Sequence, residues 1–201
     1  MAAAGAFLEN EEVLICGGYN GSFVVNTCYR MSPTNVSLHT RNLSIDSSFS
    51  SAGLVKGDNV LITGGTRESG HTIARTEFIA MDSQSKGPNL PLTLHSHCMI
   101  RIPSDESFLV TGGTDGNSAA LKYTWHLSRN DESGWMFNDG PSMNQNRTFH
   151  ACESFTDDTG NLILAVVGGG FVADGRDTVE FLVWDIQNEE EWISRKYIYT
   201  S

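Results

Sequence analysis

Phe108-Leu109-Val110-Thr111-Gly112-Gly113 is a short aliphatic run that stops at a glycine pair. It shows no helical period, so it reads as a buried strand. The glycines let the backbone take positive φ and approach a neighbouring segment closely. Three other stretches have the same shape: Val13-Leu14-Ile15-Cys16-Gly17-Gly18, Val60-Leu61-Ile62-Thr63-Gly64-Gly65 and Leu164-Ala165-Val166-Val167-Gly168-Gly169. The pairs begin at 17, 64, 112 and 168, with steps of 47, 48 and 56 residues. One such stretch is weak; four at near-constant spacing are an internal repeat.

The surroundings repeat as well. A polar, glycine-containing turn follows each pair, at Tyr19-Asn20-Gly21-Ser22, residues 66–71, Thr114-Asp115-Gly116-Asn117 and residues 170–176. Next comes a second strand carrying an aromatic: residues 25–31 with Tyr29, 75–81 with Phe78, 121–127 with Tyr123 and Trp125, and 178–185 with Phe181 and Trp184. A third strand is visible at 134–138 with Trp135 and at 191–199 with Trp192, and is weak in the first two units. A further strand precedes each glycine strand, at 2–8, 49–56, 95–102 and 148–155. The repeat predicts an all-β chain of four units, approximately 1–46, 47–92, 93–139 and 140–201. Each is a four-stranded antiparallel sheet, and a propeller is the architecture such units make.

Composition agrees with this and removes several function classes. The 201 residues are 39% hydrophobic and 18% charged, as in a folded domain with a core. The net charge of −11 disfavours nucleic acid and anionic membrane as partners. No apolar run has the length of a membrane span. The first ten residues lack a basic start and lead into Glu9, Glu11 and Glu12, unlike a secretory signal, so the expectation is an intracellular protein. Of the four cysteines, Cys16 and Cys28 flank one turn and can face each other across a strand pair. With Cys98 and Cys152 they form no CxxC pair, and buried free thiols are the simpler expectation.

These residues resemble the kelch repeat: an apolar strand ending in Gly-Gly, a tyrosine-like aromatic on the next strand, and a tryptophan on the strand after. The third unit carries it most fully, with Gly112-Gly113, Tyr123, Trp135, Gly140-Pro141-Ser142-Met143 and Arg147-Thr148-Phe149-His150. Pro88-Asn89-Leu90 with His97 is a looser copy. The first unit lacks the tryptophan, the second has Phe78 for tyrosine, and Leu94 stands where Arg147 does. The resemblance implies a kelch-type β-propeller, either closed as four blades or part of a larger ring, with the larger ring favoured. It also implies a scaffold or adaptor that binds a protein partner, with ubiquitin-ligase and cytoskeletal components as family examples, and no cofactor.

Connectivity places the binding surface. In such a blade the turn after the glycine strand and the link into the next blade lie at the same end, where loops on a rigid scaffold carry function. The candidate residues there are Tyr19 and Phe171 as aromatic anchors, Arg67, Arg147 and Arg176 as carboxylate grips, and His71, Asp115 and Asn117 as polar contacts. Family members often use an arginine at the place of Arg147 for ligands. Asp115 and Asn117 also suit plain turn formation. His95-Ser96-His97-Cys98 has metal-like residue types, but no second cluster accompanies it, so packed or solvated histidines are expected. No phosphate loop or nucleophile elbow occurs. The competing reading is a carbohydrate-active enzyme of the sialic acid epimerase or galactose oxidase-like propeller type. An epimerase-like site would draw on Arg67, Glu68, His71 and Arg147.

Overall fold

The computed structural model describes residues 3–117, 119–170, 178–184 and 191–196. The described residues form four antiparallel four-stranded sheets, each with its strands side by side in chain order, and no helix. The first sheet holds β1 (Ala4–Phe7), β2 (Val13–Cys16), β3 (Cys28–Ser32) and β4 (Asn35–Leu38). The second holds β5 (Ser51–Lys56), β6 (Asn59–Thr63), β7 (Thr76–Ile79) and β8 (Gln84–Lys86). The third holds β9 (Cys98–Ile102), β10 (Ser107–Thr111), β11 (Thr124–Asn130) and β12 (Gly134–Asp139). The fourth holds β13 (Ala151–Thr156), β14 (Leu162–Val167), β15 (Thr178–Val183) and β16 (Ile193–Lys196). Each sheet thus begins with the strand before a glycine strand, as the repeat predicts.

The apolar runs lack alternation because each glycine strand serves two cores. Phe108, Leu109 and Val110 are all fully buried. Phe108 and Val110 join Leu61, Phe78, Trp125 and Leu127 between the second and third sheets. Leu109 points the other way and joins Ile100, Leu164, Val166 and Leu182 between the third and fourth. A third core between the first and second sheets contains Leu14, Val60, Ile62 and Ile79. The weakly predicted β4 and β8 are sheet edges with every residue exposed, so burial imposes no pattern on them.

The glycine pair is a joint between sheets. Gly112 has φ +54°, and a Cβ there would lie 2.5 Å from the Arg147 carbonyl oxygen; at Gly113, φ +96°, it would lie 2.7 Å from His97 Cβ. The Gly113 N–H donates to the Arg147 carbonyl at 2.8 Å, across to the segment entering the fourth sheet. Gly18 donates likewise to Ser47, and Gly65 to Leu94, each at 2.7 Å. Larger residues would force these segments apart and break the bond.

The expectation of free thiols is corrected. Cys16 and Cys28 are direct register partners and form a disulfide. Cys98 and Cys152 form a second one, joining β9 to β13 across 54 residues of sequence. Their pairing depends on how two sheets align, which cysteine spacing does not encode.

First strands pack in series, β1 on β5, β5 on β9 and β9 on β13. Among the described residues there is no comparable packing of β13 back onto β1. Both end sheets carry exposed apolar side chains. On the first sheet Phe7 is 65% exposed and Leu38 67%. On the fourth, Phe155, Val183 and Ile193 are exposed. No described helix is long and apolar enough to cross a membrane.

Candidate binding face

The turns after the glycine pairs and the links into the next sheet meet at one end of the molecule. Bridges tie them together: Ser48 with Thr66, His95 with Thr114, and Leu121 with Arg147. At this end the last three residues before β5, β9 and β13 adopt the same backbone path. Phe49, Ser96 and Phe149 occupy equivalent positions with φ of 57°, 55° and 55°. Positive φ in a phenylalanine costs on the order of 1–2 kcal/mol and persists only where surroundings hold it. Here a hydrogen-bond chain does so: the Ser96 N–H donates to the Phe49 carbonyl at 2.8 Å, and the Phe149 N–H donates to the Ser96 carbonyl at 2.9 Å.

That path brings two aromatic rings together from different sheets. Phe49 and Phe149 make an edge-to-face pair 5.7 Å apart, and His95 stands 6.2 Å from Phe49. Although paired, Phe49 is 41% exposed and Phe149 50%. Burial holds the His95 pKa below its ordinary value, opposed by the Asp115 charge. The result is a convergent, half-open aromatic platform; Tyr19 and Phe23, on the turn after the first glycine pair, are also exposed.

The sequence candidates fall into three groups, with Arg147 apart from them. Tyr19 is exposed, and its hydroxyl donates to the Gly21 carbonyl at 3.1 Å. Arg67 is accessible and pairs with Asp46 at 3.4 Å. Its neighbour Glu68 accepts from the Val24 N–H, which ties the Arg67 loop to the Tyr19 turn. His71 is exposed and hydrogen-bonds Ser69 Oγ. These three lie on two neighbouring loops.

Asp115 and Asn117 form the second group. Asp115 accepts the Asn117 and Ala119 N–H groups, and the Ala119 bond heads the interactions that hold its carboxyl below the usual range. They build their own turn at the exposed surface. Phe171 and Arg176, the third group, lie outside the described residues.

Arg147 requires a correction. It is 0% exposed and so presents no surface to a partner. Its Nε donates to Glu180 Oε1 at 2.9 Å, and both side chains are completely buried. Its remaining nitrogens donate to the Gly168 carbonyl and to Thr178 Oγ1, each at 2.7 Å. Glu180 also accepts the Asn144 and Gln145 N–H groups. Arg147 thereby fastens the incoming link to the fourth sheet.

Two histidines make parallel joints. His97 Nε2 meets Thr63 Oγ1 at 2.7 Å, and His150 Nε2 meets Thr111 Oγ1 at 2.8 Å, each across a sheet boundary. Burial drives the His97 pKa down to about 3, with His150 and His95 adding repulsion. Burial, then the Arg147 charge, lowers that of His150 to about 4. Positive φ at Ser96 breaks the alternation that would put His95 and His97 on one face. Of the residues named for an epimerase-like site, Arg147 is engaged with Glu180, Arg67 with Asp46 and Glu68 with Val24.

Sequence reasoning missed Phe49 and Phe149. The signal was present: extending the alignment of His97 with His150 back to Ser50 sets Phe49 over Phe149. Compared with models of known protein families and with curated proteins, the chain finds no match.

Proposed function

We propose that this chain is a run of four kelch-type propeller blades that binds a protein partner at the Phe49–Phe149 platform, with Tyr19, Phe23 and Arg67 on its rim. One observation carries the reading: two aromatic rings stay half exposed while a repeated positive-φ backbone holds them together. Rigid exposed aromatics lose little entropy on binding and are the commonest interface anchors. Arg67 adds a cation beside them, suited to a partner carboxylate. The enzyme alternative has no specific observation in its favour among the described residues. The two disulfides favour an oxidising compartment over the reducing cytosol, contrary to the intracellular expectation.

The test is quantitative capture of crosslinked partners by the wild-type chain and by Phe49→Ser/Phe149→Ser, with matched thermal melts. The expected result is a saturable partner whose capture falls at least about tenfold in the double variant. Equal capture by both chains contradicts the proposal.

A further inference from the structure

The Asn-X-Ser/Thr pattern that accepts an N-linked glycan occurs at Asn20-Gly21-Ser22, Asn35-Val36-Ser37, Asn42-Leu43-Ser44 and Asn146-Arg147-Thr148. The pattern alone is common, but the fold separates its copies. Asn20 Oδ1 accepts the Ser22 and Phe23 N–H groups, each at 2.9 Å, and closes its own turn. Asn42 Oδ1 accepts the Cys28 N–H at 3.1 Å, and buried Leu43 follows it. Asn146 leads into Arg147 and Thr148, both 0% exposed. Asn35, Val36 and Ser37 are instead all exposed. Asn35 is held through its backbone, its N–H donating to Ser32 Oγ at 3.1 Å. Its side-chain amide makes no hydrogen bond among the described residues, so a substituent on it displaces nothing.

Asn35 also opens β4, the outer edge of the first sheet. A sheet edge presents unpaired N–H and C=O groups to which a strand of another molecule can add, and charged side chains are an ordinary protection. The outer edge strands of the other sheets carry them: Lys86 in β8, Asp139 in β12 and Arg195 in β16. β4 reads Asn35-Val36-Ser37-Leu38 and has no charge. An edge lies in the plane of its sheet, so packing against the sheet's faces leaves it open. The one outer strand without a charge among the described residues is thus the one that begins with an accessible glycan acceptor.

We propose that Asn35 carries an N-linked glycan that guards the β4 edge. In the transfer, Asn35 Nδ2 bonds to the anomeric carbon of the N-acetylglucosamine at the head of a lipid pyrophosphate-linked oligosaccharide. The bond from that carbon to the pyrophosphate oxygen breaks, and the lipid pyrophosphate leaves with the electron pair. One amide proton passes to a base of the transferase. The bulky, hydrated oligosaccharide then obstructs strand addition along β4, doing by volume what Lys86 does by charge on β8. The inference rests on the oxidising-compartment reading of the two disulfides, because the endoplasmic reticulum that forms such bonds also houses glycan transfer. It does not depend on the aromatic platform.

The experiment is peptide mass spectrometry on the protein taken from its own tissue, with thiols alkylated before any reduction. Trypsin cuts after Arg30 and Arg41 and releases residues 31–41, in which Asn35 is the sole asparagine. The expected peptide bears N-acetylglucosamine and hexose, and enzymatic release of the glycan converts Asn35 to aspartate. An unmodified peptide from a protein whose cysteines escape alkylation overturns the proposal and leaves the compartment reading standing. An unmodified peptide together with alkylated cysteines overturns both. The edge role is read by light scattering on the full chain, Asn35→Gln and Asn35→Gln/Ser37→Lys, each secreted from a eukaryotic host. Asn35→Gln is expected to aggregate, and the charge added by Ser37→Lys is expected to restore the dispersity of the wild type. An Asn35→Gln chain as monodisperse as the wild type overturns the guarding role.

Discussion

In the second sheet Glu77 is 4% exposed, and in the fourth Glu180 is 0% exposed. The two carboxylates hold the same position on the strand that follows the glycine strand, and both fasten the link entering their own sheet. Glu77 accepts from the Ser44 N–H and hydroxyl; Glu180 accepts the equivalent Asn144 N–H. They differ in where the neutralising cation originates. Arg75, two residues from Glu77 on the same chain segment, pairs with it at 2.8 Å and keeps its side chain 30% exposed. Arg147 comes from the link itself and is wholly buried. A repeat can therefore conserve the buried anion while moving its cation from one segment to another. A lone arginine in a link sequence does not reveal whether it faces solvent or a carboxylate 33 residues away.

The links also differ in reinforcement. Cys98–Cys152 ties the third sheet to the fourth, whereas the first-sheet disulfide lies within one strand pair and joins no two sheets. Replacing Cys98 and Cys152 together by alanine is expected to cost about 4 kcal/mol in urea unfolding, from the entropy of the loop released. The pair Cys16 and Cys28 closes a shorter loop and is expected to cost about 3 kcal/mol. Equal losses would contradict a loss set by the length of the closed loop.

Acid should separate the links next. His97 and His150 stay neutral in the folded protein because burial lowers their pKa values to about 3 and about 4. The unfolded chain protonates both near pH 6.5, so it binds more protons and gains as pH falls. Their stabilisation is complete above that pH and declines as acid is added. By pH 4.5 each is expected to have cost the fold about 2–3 kcal/mol. The link into the second sheet has Ser50 at this position and contributes nothing similar. His150→Gln retains a neutral partner for Thr111 and should flatten the pH profile by about half. An unchanged profile would remove His150 from the account.

The smallest effect is expected at Arg75. Its guanidinium is partly hydrated, and Glu77 retains the Ser44 donors, so Arg75→Ala should cost only about 1 kcal/mol in the same denaturation assay.

How much of this the sequence revealed followed burial. The glycine strands were plain because Val60, Leu61, Phe108, Leu109 and Val110 must all be apolar to sit between two cores. The edge strands β4 and β8 were faint because solvent accepts almost any residue there. Tyr19, Arg67 and His71 were legible as exposed loop residues because turns after glycine pairs are recognisable by position. Arg147 was misassigned because its partner, Glu180, lies 33 residues further along the chain. Cys98 and Cys152 were likewise unpaired on paper, since alignment between sheets brings them together. Phe49 and Phe149 were hidden by ordinary side-chain expectations: phenylalanine at positive φ is uncommon, and only the repeated link geometry shows why it occurs.

The decisive measurement is a urea-unfolding comparison of wild type, Arg147→Met and Arg147→Met/Glu180→Leu. If Arg147 is architectural, the single variant strands a buried carboxylate and loses about 3–5 kcal/mol, and the double variant recovers most of that loss. A single variant as stable as wild type but impaired in partner capture would contradict the account and return Arg147 to the binding surface.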